Sequence, residues 1–196
     1  MIEKDKILLI LDLDETLVYG TKDKLLRTED FKVGAYFIYE RPLLSDFLHG
    51  VYQYFKLAIW SSASDEYVFE VANHIIPKEI SLEFIWGRSK CSYKRNVVID
   101  DEGYYDPISQ NHYNYVKPLK KVKRRGYDLN RILIIDDTPH KSQNNYGNAI
   151  CPEIYTGSIE DEELIHLLAY LKAFKNKENV RKIEKRNWRN RIDRDK

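Results

Sequence analysis

The stretch that most constrains this chain is Ile7 to Val18, read as Ile-Leu-Leu-Ile-Leu-Asp-Leu-Asp-Glu-Thr-Leu-Val. It opens as a continuous apolar run of strand length, the pattern of a strand buried on both faces of a parallel sheet. The run stops at Asp12. Side chains alternate along an extended strand, so Asp12 and Asp14 are expected on one side of the strand end, with Leu13 pointing away. Two like charges in one small volume are costly unless a cation lies between them or one keeps its proton. Catalysis can use both solutions at once. The bland alternative is an Asp-Glu-Thr turn that simply ends a strand.

Two later segments repeat the pattern. Leu57-Ala-Ile-Trp60 runs into Ser61-Ser62, and Ile132-Leu-Ile-Ile135 runs into Asp136-Asp137. Phe84-Ile-Trp86 before Gly87-Arg88 is a fourth strand candidate and Asn148-Ala-Ile-Cys151 a fifth. Helical patterns lie between them, as parallel strands require. Leu43, Leu44, Phe47, Leu48, Val51 and Phe55 make one apolar face, weakened at Gly50. Ser64 is a natural N-cap, with Asp65 and Glu66 in the first turn and Val68, Val71, Ala72 and Ile75 leading to a stop at Pro77. Pro118 suits a first helical position, and the helix would run through Leu119 to Arg125 and stop at Gly126. Ser158-x-x-Asp161 resembles a capping box before Leu164, Leu167, Leu168, Leu171 and Phe174. The alternation predicts an α/β doubly wound parallel sheet flanked by helices. Ligands then bind beyond the carboxyl ends of the strands, where the polar residues fall.

Two segments break the alternation. Between Gly20 and Arg41, Phe31, Val33 and Tyr36-Phe-Ile-Tyr39 suggest a hairpin or a pair of short strands. Between Cys91 and Tyr115, Val97-Val-Ile99, a turn at Asp101-Glu-Gly103 and Tyr104-Tyr105 suggest another. Both are expected beside the site as small insertions. With 196 residues, 43% of them hydrophobic, the chain can bury one sizeable core, expected over 1–175. The remainder, 176–196, is dominated by Lys and Arg, with Ile183 and Trp188 among them. It reads as a basic helix or solvated tail, or else as a docking element for nucleic acid or an acidic partner.

A formal net charge of +1 gives no global attraction to nucleic acid or membrane. Cys91 and Cys151, the two cysteines, make neither a disulfide framework nor a zinc site. Cys91 is followed by Ser-Tyr-Lys-Arg-Asn-Val, not by a phosphate-cradling loop ending in arginine, which argues against a cysteine nucleophile. Too few apolar residues precede Asp12 for a signal peptide, and no run reaches the roughly 18 residues of a membrane helix. An intracellular, soluble protein is expected, cytoplasmic or, in a eukaryote, nuclear.

The order apolar run to Asp12-x-Asp14-x-Thr16, apolar run to Ser61, then Lys117, then apolar run to Asp136-Asp137 resembles the four motifs of the haloacid dehalogenase (HAD) superfamily of phosphatases. The resemblance implies that Asp12 attacks phosphorus, forming an aspartyl-phosphate, and that Asp14 is general acid and base. It implies Mg²⁺, held by Asp12 and Asp136, with Asp137 as a further ligand and the backbone carbonyl of Asp14 as another. Lys117 would hold the phosphoryl oxygens and shield the carboxylates, Ser61 would donate to a phosphoryl oxygen, and Thr16 would steady the loop around Asp14.

Tyr39-Glu-Arg-Pro42, Ile59-Trp-Ser-Ser-Ala-Ser64, Tyr115-Val-Lys-Pro-Leu119 and Ile134-Ile-Asp-Asp-Thr-Pro139 narrow the resemblance to the FCP/SCP branch. This is the family of phosphatases for the C-terminal domain of RNA polymerase II, also called the NLI-interacting-factor domain. It implies a Mg²⁺-dependent serine/threonine phosphatase without a large cap, taking an extended phosphopeptide. The serine of motif two is Ser61 or, one register on, Ser62; Ser62 and Arg88 are then candidates for holding substrate. The alternatives are a phosphatase for nucleic-acid ends or a small phosphoester, and a non-catalytic phosphate-binding module.

Overall fold

The apolar runs lie side by side. In the computed structural model, which describes residues 6–95, 113–145 and 147–192, strands β1 (Ile7–Leu11), β5 (Phe55–Trp60), β6 (Leu82–Trp86), β9 (Ile132–Ile135) and β10 (Ala149–Ile150) form one sheet in the order β10-β9-β1-β5-β6. The pairings are parallel. β1 is central, with Leu9 opposite both Leu57 and Leu133.

The pleat sorts these residues between two cores. Ile7, Leu9, Leu11, Leu57, Ile59, Leu133 and Ile135 join one cluster with helices α1 (Leu44–Tyr52), α2 (Asp65–Ile75) and α4 (Glu163–Lys172). Leu8, Ile10, Ala58, Trp60, Ile132 and Ile134 face the other way, against Phe84 and Trp86 of β6, Leu119, and Val122 of the short helix α3 (Lys120–Lys123). Burying each such side chain contributes roughly 1.5–3 kcal/mol, which is why continuous apolar runs, and not alternating ones, specify a two-faced central sheet.

α2 forms as its sequence predicts, with Ser64 Oγ accepting from the amide of Tyr67. The other helices depart in detail. Leu43 precedes α1 in a left-handed conformation (φ 61°) and is exposed, and Phe55 belongs to β5, so neither lies on the helical face. Gly50 has a packing reason: a Cβ there would come within 2.8 Å of Leu168 on α4. α3 is a single turn, because its successive like charges repel and Gly126, at φ 96°, ends it. α4 begins after Glu162 and not at a Ser158 cap; Asp161 does receive the Glu163 amide at 3.0 Å but is shared with Arg41.

The first insertion is three strands, β2 (Val18–Thr21), β3 (Phe31–Val33) and β4 (Tyr36–Glu40), in the antiparallel order β2-β4-β3. The second rises on an antiparallel stem, β7 (Ser92–Arg95) with β8 (Tyr113–Val116), pairing Ser92 with Val116. The hairpin expected over 97–105 lies outside the described residues. No large cap stands over the strand ends among the described residues. Nor is any helix among them long and apolar enough to cross a membrane.

The basic segment corrects the expectation of a solvated tail. Residues 180–182 and 188–191 form single turns, and Val180 and Trp188 are buried in the same core as Leu171 and Phe174. Trp188 Nε1 donates to the Cys151 carbonyl at 2.9 Å. Lys185 is buried with its ammonium on the carbonyls of Gly147, Val180 and Ile183, and burial pulls its pKa down to about 8. Replacing Trp188 with Ala is expected to destabilise the protein by about 3–5 kcal/mol in urea unfolding, where a solvated tail residue would shift it by under about 0.5.

Candidate active site

The sheet ladder continues one residue past three adjacent strands. The amide of Asp12 donates to Ile135 (3.0 Å), that of Ser61 to Trp86 (2.9 Å) and that of Asp136 to Ile150 (3.2 Å). Each apolar run is therefore held rigidly until its first polar residue, and three polar side chains share the carboxyl edge of the sheet. After Asp12 the chain turns sharply. The Leu13 carbonyl receives the amides of Thr16, Leu17 and Val18, and Glu15 takes a left-handed conformation (φ 57°).

Asp12, Asp136 and Asp137 are buried, and one oxygen from each lies within 4.8 Å of the others. Lys117, fully buried, places Nζ 2.7 Å from Asp12 Oδ1 and 2.7 Å from Asp136 Oδ2. Burial opposes its charge, but the two carboxylates outweigh that and hold its pKa above the ordinary lysine value. Burial, then Asp12, pushes the Asp136 carboxyl upward against the pull of Lys117. Two ammonium groups face Asp12, Lys117 at Oδ1 and Lys141, 3.5 Å away, at Oδ2. Three buried carboxylates converging on one small volume, all of them hard oxygen donors, fit a small divalent cation such as Mg²⁺.

Asp14 sits at the solvent side of the same turn. Tyr67 donates its hydroxyl to Asp14 Oδ1 (2.7 Å), and Ser61 donates to Asp14 Oδ2 (3.2 Å). Burial first, and Asp12 second, raise the Asp14 pKa; the two hydrogen bonds offset part of the rise. This favours the protonated form of Asp14. A cleft of about 350 Å³ opens from Asp14 between Gly20 and Tyr36 of the first insertion and Tyr67 and Arg88.

The turn is clamped from behind. Arg41, buried, donates to the Thr16 and Glu153 carbonyls, at 2.9 Å each, and pairs through two nitrogens with Asp161 at 2.7 and 2.8 Å. Thr16 Oγ1 receives the Asp137 amide at 3.2 Å and faces Asp137 Oδ1 at 3.4 Å. Thr16 thus joins two strand ends and does not bond Asp14 directly.

Asp12, Asp14, Thr16, Ser61, Lys117, Asp136 and Asp137 converge. Of the two serines, Ser61 is the one whose hydroxyl enters the cluster, directed at Asp14. Ser62 enters through its backbone, its carbonyl receiving Arg88 Nε at 2.8 Å, and this tether aims Arg88 at the cleft mouth. Sequence reasoning missed three residues. Tyr67 carries no signal of its own in the sequence, although its place six residues after Ser61, on the first turns of α2, brings it back to the site. Lys141, with Nζ 3.5 Å from Asp12 Oδ2, sits in the turn Pro139–Ser142. Arg41 was read only as part of a motif.

The sequence and the fold both resemble known proteins. The model of one family, described as NLI interacting factor-like phosphatase, matches residues 7–181. CTD small phosphatase-like protein 2 of Dictyostelium discoideum is 28% identical over 186 residues, covering 90% of this chain and 29% of that protein. Carboxy-terminal domain RNA polymerase II polypeptide A small phosphatase 1 of Homo sapiens is 26% identical over 185 residues, covering 91% of this chain and 63% of that one. The chain thus spans under a third of the first relative and under two thirds of the second. The solved structure of Fcp1, an essential RNA polymerase II CTD phosphatase, superposes with a TM-score of 0.55 at 18% identity, covering 89% of this chain and 52% of that chain, a likeness of fold.

Tyr67→Phe removes a hydrogen bond that favours the Asp14 carboxylate, so the Asp14 pKa is expected to rise further. Carboxyl ¹³C NMR titration of the metal-free variant checks the sign; an unchanged or lower midpoint rejects the coupling.

Proposed function

The chain belongs to the NLI interacting factor-like phosphatase family, and on that premise we propose that it hydrolyses phosphomonoesters through an aspartyl-phosphate, with phosphoserine or phosphothreonine in proteins as substrate. The observation that carries the reading is the contrast between two carboxylates of one turn. Asp12 faces a buried ammonium at 2.7 Å, whereas Asp14 is shifted toward its protonated form by burial and by Asp12. A nucleophile and an acid need opposite protonation, and this contrast supports assigning those roles.

In the first step the Asp12 carboxylate oxygen bonds to phosphorus as the bond to the leaving oxygen breaks, and Asp14 gives its proton to that oxygen. In the second, Asp14, now a carboxylate, takes a proton from water as the water oxygen attacks phosphorus, and phosphate leaves Asp12. Tyr67 and Ser61 keep the Asp14 carboxyl aimed across both steps. Lys117 holds fixed positive charge beside Asp12 while charge develops on the phosphoryl oxygens. Asp12, Asp136, Asp137 and the Asp14 carbonyl would hold Mg²⁺, which supplies Lewis-acid neutralisation of the phosphoryl group.

The open cleft, with Tyr36 and Arg88 at its mouth, suits a residue presented by an extended chain. The relative from Homo sapiens is by its name a small phosphatase of the carboxy-terminal domain of RNA polymerase II, which supports a protein substrate. The nucleic-acid reading drew on Trp188 as a base-stacking surface, and Trp188 is only 5% exposed.

Hydrolysis of para-nitrophenyl phosphate is expected with Mg²⁺ and is expected to vanish with EDTA and in Asp12→Asn; activity that survives both rejects the mechanism. Asp14→Asn should lose on the order of 10²–10⁴-fold on phosphoserine peptides, and less on para-nitrophenyl phosphate, whose leaving group needs no acid. In the wild type, the rate on phosphopeptides should fall as pH rises through the raised Asp14 pKa, because the proton donor is lost. Faster release from 3′- or 5′-phosphorylated oligonucleotides than from phosphopeptides would transfer the substrate assignment.

A further inference from the structure

Lys141 has no part in the mechanism above, yet it reaches the same carboxylates. Its backbone is fixed: the Lys141 carbonyl receives the amide of Lys117 at 2.9 Å. Its side chain is held loosely by comparison. Lys141 Nζ stands 3.5 Å from Asp12 Oδ2 and 3.9 Å from Asp136 Oδ1, where Lys117 makes both contacts at 2.7 Å. The Lys141 side chain is 17% exposed and that of Lys117 is fully buried. One lysine is thus built into the core, and the other leans in from the solvent side on a flexible four-carbon stem.

The oxygens that Lys141 faces belong to two of the three residues whose donors fit a divalent cation. An ammonium and a divalent cation on the same carboxylates repel each other, so the two positions compete. Asp12, Asp136 and Asp137 outnumber the two ammonium groups, and Glu15 adds a further carboxyl group near Lys141. A divalent cation on Asp12 and Asp136 weakens their hold on Lys141, whose ammonium can then turn to another anion. Resting on the phosphatase reading for its second half, we propose that Lys141 exchanges with the divalent cation. It neutralises Asp12 and Asp136 in the metal-free site and, once the cation holds them, turns to the phosphoryl oxygens of the bound substrate. Lys141 is then a second, mobile phosphate ligand beside the fixed Lys117.

Calorimetric titration of Lys141→Met tests both halves without turnover. The exchange predicts Mg²⁺ binding on the order of tenfold tighter than wild type, and inorganic phosphate binding to the Mg²⁺-saturated protein on the order of tenfold weaker. Opposite signs are the signature, since a merely structural lysine would weaken both together or move neither. Lys141→Arg, keeping the charge, should stay near wild type in both. Mg²⁺ affinity that is unchanged or reduced overturns the exchange, and unchanged phosphate affinity overturns its second half. Should Lys141→Met not fold, the wild type carries the test through amine acetylation read by mass spectrometry. Labelling at Lys141 should rise when Mg²⁺ is added and fall again when phosphate follows; labelling indifferent to Mg²⁺ rejects the proposal. The Mg²⁺ half needs no hydrolysis, so a protein that shows it and cleaves no phosphoester would refute the proposed function and leave the exchange standing.

Discussion

Crowded negative charge at the end of two neighbouring strands is the constraint on which the rest of the structure depends. Asp12 and Asp136 end β1 and β9, are buried, and share one ammonium between them at 2.7 Å. Isolated buried carboxylates cost several kcal/mol each, and removing one partner of a buried pair typically costs about 3–5 kcal/mol. The fold is arranged so that Lys117 cannot leave. β8 delivers it, Pro118 and Leu119 behind it are buried, and its amide is tied to the Lys141 carbonyl. Arg41 serves the same end from the other side, holding the Thr16 carbonyl so that the turn bearing Asp14 keeps its shape.

Much of this was legible in the sequence because burial and chemistry alternate abruptly along it. Where an apolar run meets a polar residue, as at Leu11-Asp12, Trp60-Ser61 and Ile135-Asp136, the strand, its direction and the site edge follow together. α2 was legible for a related reason: Ser64 and the spacing of Val68, Val71, Ala72 and Ile75 are local signals. What failed depends on distance. The short span of α3 reflects charge repulsion that a capping rule does not weigh, and Gly50 reads as a weakness until Leu168 is placed against it. The basic segment misled because its composition hides two buried anchors; Val180 and Trp188 find their core partners on other elements. Tyr67, Lys141 and Arg41 were missed because nothing beside them in the chain shows which turn brings them to Asp14, Asp12 or Asp161.

The chemistry and the recognition surface have different foundations. Asp12, Ser61 and Asp136 stand on the rigid edge of the parallel sheet, where one more ladder bond fixes each backbone. Tyr36 and Arg88 come from an insertion and from a turn after β6, off the parallel sheet. A family can therefore keep one reaction and vary what it accepts, since the two sets of residues share little backbone.

The stem of β7 and β8 adds an asymmetry to how such a chain can drift. Four rungs, from Ser92–Val116 to Arg95–Tyr113, separate the second insertion from Lys117. Because a slip of one residue turns every side chain to the opposite face, the rungs act as a counter that sets which way Lys117 points. Lengthening the excursion beyond the last rung leaves that count intact, whereas adding or deleting a residue below it would swing the ammonium away from Asp12 and Asp136. The root of this insertion is thus numerically frozen by the lysine that follows it.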